Sequence, residues 1–201
     1  MIDHASDESL MVRFQRGDRA AFATLVRRHQ GPLFNFVLRQ LRSQALAEDV
    51  VQDAFVRVVQ NAADFKHEAR FTTWLYTIAR NLCIDQLRKA ALRKHPSLDE
   101  AKPGKDGDGP TLGEQMPDSK ASVDRAATGR ELQGRIADAV AALPDDQREV
   151  FLMREVSNLP FKEIAEITGV PENTVKSRMR YALERLQSAL SEYEEYARAL
   201  K

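Results

Sequence analysis

The 201-residue chain carries 30 basic and 30 acidic side chains, a formal net charge of zero, with 43% hydrophobic and 30% charged residues. That balance fits a soluble protein with solvated helix surfaces and argues against one that grips DNA unaided through a large positive excess. A single cysteine, Cys83, excludes an intramolecular disulfide and a multi-cysteine zinc site, and fits a reducing compartment.

With 9 Gly and 8 Pro, several of them in one central stretch, and a remainder rich in Ala, Leu, Arg, Glu and Gln, the composition predicts an all-α fold. Asp3, Asp7 and Glu8 stand where a signal peptide needs a basic region and an apolar run. No window approaches the ~20 apolar residues of a membrane span. The expected location is cytoplasmic, with no membrane contact of the chain's own.

In chain order, Asp7 is expected to cap a helix running through about Arg16, and Gly17-Asp18 to break it and start the next. The second helix runs from about Arg19 to Arg42, interrupted or kinked near Gly31-Pro32, because proline lacks the backbone donor. A third spans about Ala45–Asn61 with Leu46, Val50, Ala54 and Val58 on one stripe. After a polar connection the fourth spans Phe71 to about Lys94, its apolar face being Phe71, Trp74, Leu75, Ile78, Leu82 and Leu87.

The stretch His95–Ser122 holds four prolines and four glycines and has no periodicity, so it reads as a flexible linker. The expected organisation is therefore two small helical domains, 1–94 and 123–201, joined by a linker at 95–122. In the second domain a helix is expected over Val123–Leu143. Another is opened by Pro144 at its first position and runs to about Val156, a short one covers Pro160–Ile167, and the last extends from Pro171 to about Arg198.

Three constellations carry chemistry. In LPFKEIAEITGVPENTVKSRMRYALERL, Ile164, Ala165 and Ile167 pack a first helix, Gly169 permits a sharp left-handed turn, and Val175 and Met179 face inward on a second. That leaves Glu172, Asn173, Lys176, Ser177, Arg180 and Tyr181 outward, the layout of a helix-turn-helix whose second helix enters a major groove. Lys176, Arg178, Arg180 and Arg185 supply cations for phosphates or guanine edges. The alternative is a plain helical hairpin with a solvated basic face.

The helix from Phe71 places Thr72, Thr73, Tyr76, Arg80, Asn81, Arg88 and Lys89 on its other side, a mixture of cations, amide and aromatic that suits a single nucleic-acid strand. It equally fits a solvated charged face with Trp74 and Tyr76 in the core. Glu48, Asp49, Gln52 and Asp53 lie at helical spacings opposite the apolar stripe of the third helix. They suit a basic protein surface better than a metal, which needs a fuller ligand set; a solvated acidic face is the alternative. His4, His29, His67 and His95 have no partners at ligand spacing and read as surface or capping residues, and Cys83 reads as packing. No nucleotide-binding loop, nucleophile elbow or paired-histidine metal motif occurs, so neither an enzyme nor a cofactor is expected.

The motifs resemble, in order and spacing, those of the extracytoplasmic-function (group 4) sigma factors of the sigma-70 family. ALAEDVVQDAFVRVV is similar to the family's region 2.2, FTTWLYTIARNLCIDQLRK to regions 2.3 and 2.4, and LPDDQREVFLMREVSNLPFKEIAEITGVPENTVKSRMRYALERL to region 4. The resemblance implies a sigma-2 bundle and a sigma-4 helix-turn-helix that bring core RNA polymerase to promoter DNA. It implies that Glu48, Asp49, Gln52 and Asp53 dock on the coiled coil of the β′ subunit, with the β flap as a further polymerase contact. It places Phe65, Tyr76, Ile78, Ala79 and Asn81 about a flipped base of the −10 non-template strand, on the helix that also carries Arg80, Arg88 and Lys89. It places Lys176, Ser177, Arg180 and Tyr181 at base-contacting positions of the −35 duplex, with Thr174 and Arg178 nearer the backbone. An anti-sigma factor is the further partner it implies. A stand-alone helix-turn-helix regulator of the response-regulator type would need a strand–helix alternation that the first domain lacks. A metal-dependent hydrolase built on the acidic patch would lack both ligands and a base.

Overall fold

The computed structural model describes residues 5–66, 70–93 and 132–199. All regular structure among them is helical, with no strand. The expected linker 95–122 and residues 123–131 lie outside the described residues, as do His4, His67 and His95.

The first bundle comprises α1 (Asp7–Gln15), α2 (Arg19–Leu41), α3 (Gln44–Gln60) and α4 (Phe71–Arg93), with a short 3-10 turn at Ala62–Asp64. The second comprises helical residues 132–141 (α5), then α6 (Asp145–Glu155), α7 (Phe161–Thr168) and α8 (Glu172–Ala199). Two helices each begin on a side-chain cap that satisfies first-turn N–H groups: Asp18 accepts from the N–H of Ala20 and Ala21, and Ser43 from that of Leu46. The α1 cap is Ser6 rather than Asp7. The Ser6 hydroxyl accepts from Ser9 N–H, which frees the Asp7 carboxylate to face Arg28 and His29 on α2.

Prolines 144 and 160 both precede their helices as caps rather than occupying the first helical position, and α8 likewise starts after Pro171. Their extended backbone offers a carbonyl to the first turn, as Pro144 O does to the N–H of Gln147 and Arg148. Pro32 does not interrupt α2, which is continuous from Arg19 to Leu41.

Leu10, Met11, Leu25, Leu33, Phe36, Val37, Val50, Ala54, Val58, Phe71 and Leu75 are sealed from solvent in the first core. Val150, Leu152, Met153, Ile164, Val175 and Ala182 are sealed in the second. Each such Leu or Phe contributes about 1.5–3 kcal/mol on burial, against ~0–1 for a surface ion pair, so packing rather than charge holds each bundle. Two expectations about faces differ from the structure. Leu46 and Leu87 are exposed, and Ala47 takes the place of Leu46 in the core. Tyr76, expected on the open side of α4, is buried against Phe36 at a ring-centroid distance of 5.4 Å.

The two bundles pack together, α7 across α4 and α6 across α2. Arg148 of α6 organises one end of this contact. Its buried guanidinium donates to Gln40 Oε1 of α2, to the carbonyls of Ala141 and Leu143, and to Asp145 Oδ1.

Candidate nucleic-acid interface

Gly169 closes α7 with φ +70°, a left-handed turn that brings α8 across α7. Val175 and Met179 anchor α8 inward, and Glu172, Asn173, Lys176, Ser177, Arg180 and Tyr181 face outward as expected. Lys176 lies 2.7 Å from Glu172 and Arg180 lies 3.7 Å from Glu184, both pairs within the helix and exposed to water. Arg180 also lies over the Tyr181 ring at 4.8 Å. Such exposed pairs are weak and readily exchanged for a phosphate or a base edge. Thr174 and Arg178 are half-buried, and Arg178 is tied to Asp146 of α6 at 3.0 Å.

On α3, Glu48, Asp49, Gln52 and Asp53 are all exposed. Beside them runs a groove of about 520 Å³ between α2 and α3, lined by Val26, Phe34, Val51, Phe55, Glu48 and Gln52 among others. Val56 and Val59 also stay 44% exposed on this helix. An acidic rim with an apolar floor differs from a merely solvated face, because the apolar surface gains only by being covered. Sequence reasoning found the acids and missed the floor. Its signal was a surplus of apolar residues on α3: Val51 and Phe55 lie off the stripe Leu46, Val50, Ala54 and Val58.

The α4 face is divided. Asn81, Arg88 and Lys89 are exposed toward its C-terminal end. Phe65 and Ala79 are buried, and Ile78 half-buried. Phe65 packs on Phe71 and Trp74 at centroid distances of 6.2 Å and 5.2 Å. Burial pushes the Tyr76 hydroxyl up to about 12, only partly offset by Ser157 of the second bundle. Cys83, as expected, is packed away; burial, reinforced by the Glu149 carboxylate, pushes its thiol up to about 12. His29 is not a surface residue: its Nε2 lies 2.7 Å from Asp7 Oδ2 and its ring 5.3 Å from that of Phe71.

The remainder of the α4 face meets the second bundle. Arg80 Nε donates to Glu149 Oε1 at 2.6 Å, and the Thr72 hydroxyl to Glu163 Oε2 at 2.7 Å, with Thr73 at 3.4 Å. Among the described residues no group of His, Cys, Asp and Glu is arranged to hold a metal ion, and no helix is long and apolar enough to cross a membrane.

Residues 25–93 match the family model for sigma-70 region 2, and residues 133–186 that for sigma-70 region 4. The chain is 34% identical to the ECF RNA polymerase sigma factor SigW of Bacillus subtilis over 178 residues, 88% of this chain and 92% of that protein. It is 30% identical to the RNA polymerase sigma-H factor of Pseudomonas aeruginosa over 190 residues, covering 94% and 96% of the two chains. Among solved structures it is similar to CnrH in complex with the cytosolic domain of CnrY (TM-score 0.68, 22% identity, 93% of this chain and 98% of that one). It is also similar to the sigma factor RpoE in complex with the anti-sigma factor NepR from Bartonella quintana (TM-score 0.63, 24% identity, 85% and 96%). Matched in both regions and over nearly the whole length of such relatives, the chain belongs to the extracytoplasmic-function sigma factors of the sigma-70 family, non-catalytic subunits that bind core RNA polymerase and direct promoter-specific transcription initiation.

Proposed function

We propose a division of this activity among the three faces. The α3 acids Glu48, Asp49, Gln52 and Asp53, with the adjoining apolar groove, dock on the β′ coiled coil of core polymerase, and the second bundle contacts the β flap. Asn81, Arg88 and Lys89, together with Phe65, Tyr76, Ile78, Ala79 and Arg80, take the melted −10 non-template strand. Lys176, Ser177, Arg180 and Tyr181 read base edges of the −35 duplex, with Thr174 and Arg178 on its backbone side. Residues 1–94 and 123–201 act as the two promoter-binding domains and 95–122 as their linker, in the cytoplasm.

The observation that carries this reading is the separation of charge on a neutral chain. The acids of α3 and the cations of α8 and of the α4 end stand exposed on different helices, so each face can meet a partner of opposite sign. An anti-sigma factor is a further proposed partner, supported by the two similar structures, each of which is a complex described as above.

Competition for core polymerase tests the docking assignment. Asp49→Lys/Asp53→Lys should lower affinity for core at least tenfold while leaving the helical circular-dichroism spectrum unchanged. Undiminished core binding by a folded variant would remove α3 from the interface.

A further inference from the structure

Of the candidate −10 residues, Tyr76, Ile78, Ala79 and Asn81 share one helix, which fixes their spacing by itself. Phe65 does not belong to it. It follows the 3-10 turn Ala62–Asp64, so its place beside α4 is set by contacts from elsewhere. Its ring packs on Phe71 and Trp74, but apolar packing is non-directional and leaves the backbone that carries the ring free to shift.

Helix α1 supplies the directional contacts. Both hydrogens of the Gln15 amide are used: Nε2 donates to the carbonyl of Ala62 at 2.8 Å and to that of Phe65 at 3.0 Å. One side chain thus clamps the turn at its first residue and at the residue after its last. Seven residues earlier, two helical turns along the same face, Glu8 Oε1 accepts from the Phe71 N–H at 3.3 Å. That N–H opens α4 and has no acceptor within its own helix, and a carboxylate there also meets the positive end of the helix dipole. Leu10 and Met11 between the two polar residues anchor α1 in the core.

Gln15 is itself exposed, where a neutral hydrogen bond adds little net stability. What Gln15 and Glu8 supply together is a fixed relation between the backbone of Phe65 and the start of α4.

We infer that Gln15 and Glu8 are positioning residues that seat Phe65 against α4 for the flipped −10 base. Neither touches the base; Gln15 acts through Phe65 and Glu8 through Phe71. This inference rests on the assignment of Phe65 and the α4 face to the −10 strand.

The test uses the full chain and its holoenzyme. Trp74 is the single tryptophan and its ring lies 5.2 Å from that of Phe65, so its emission reports the seat. Gln15→Met keeps the side-chain length and removes both donors. Gln15→Glu turns acceptors toward the two carbonyl oxygens, whereas Glu8→Gln keeps an acceptor for the Phe71 N–H. Each variant is measured for Trp74 emission, core affinity, −35 protection and permanganate reactivity at −10.

Gln15→Met should shift Trp74 emission and lower the open-promoter fraction about fivefold, the scale of losing neutral hydrogen bonds, with core affinity and −35 protection unchanged. Gln15→Glu should change both further, and Glu8→Gln should stay within about twofold of wild type. The loss belongs to the flipped base: with an abasic site at that position, wild type and Gln15→Met should open the promoter equally.

Unchanged opening by Gln15→Met overturns the inference. So does a loss that persists on the abasic promoter or comes with weaker core binding, since either would be a general loosening of the bundle. An effect of Gln15→Glu without one of Gln15→Met also overturns it, as plain charge repulsion. Asn81→Ala separates the premises. If it impairs opening while Gln15→Met does not, the strand assignment stands and only the positioning role is lost; if neither impairs opening, the assignment falls and the inference with it.

Discussion

Arg178 Nε of α8 lies 3.0 Å from Asp146 Oδ2 at the start of α6, whereas Arg180, two residues on, projects into solvent with its side chain 64% exposed. Two cations spaced by one residue on the same helix therefore differ in freedom. Under the proposed assignment, Arg178, which braces α8 against α6, serves the DNA backbone, while the exposed Arg180, held by weak pairing with Glu184, serves a base edge. A good bidentate base contact discriminates by ~1–3 kcal/mol, whereas a phosphate contact adds affinity without sequence information. Arg180→Ala should relax discrimination among −35 sequence variants in holoenzyme competition binding. Arg178→Ala should weaken all sequences by a similar factor. Equal relaxation by both substitutions would contradict the distinction.

Asp7 ties α1 to α2 through Arg28 Nη1 and His29 Nε2, each at 2.7 Å. Burial alone would raise this carboxyl, but hydrogen bonds and charge from His29 and Arg28 outweigh it and hold Asp7 below its ordinary value of 3.8. A lowered folded pKa means that the unfolded chain binds the proton first on acidification. The stabilisation is thus fully present above pH 3.8 and is lost as the pH falls through the folded value. Asp7→Asn should cost about 1–2 kcal/mol at neutral pH, the range of charge-assisted hydrogen bonds at a partly buried site. In urea titrations the gap between wild type and variant should close below pH 3.8. A gap that widens on acidification would reverse the assigned sign.

What local sequence could reveal and what it could not divide along physical lines. The Asp18 cap, the glycine turn at Gly169 and the inward Val175 and Met179 depend on residues a few positions apart, and each is legible from spacing. The burial of Tyr76 is not. A periodicity argument grants a helix one buried face, but α4 is covered by its own bundle on one side and by α6 and α7 on the other. Its second cover comes from Glu149 and Glu163, 69 and 91 residues away from their partners Arg80 and Thr72. The partial burial of His29 has the same origin, its partner Asp7 being 22 residues distant.

Under the proposed assignment of α4 to the −10 strand, the exposed Asn81 is the most direct test of strand capture. Extracting a base from the stack costs a few kcal/mol, which contacts to the flipped base must offset. Asn81→Ala should reduce the fraction of open promoter at least tenfold by permanganate reactivity at −10 while leaving −35 protection intact. A parallel loss of both would contradict the separation of the two grips.

Promoter-selective transcription is the central claim, and reconstitution measures it. Purified chain added to core RNA polymerase on genomic DNA should give discrete start sites absent with core alone, each preceded by a shared pair of −35 and −10 elements. Transcripts that begin at random, alongside tight DNA binding by the chain without polymerase, would contradict the account.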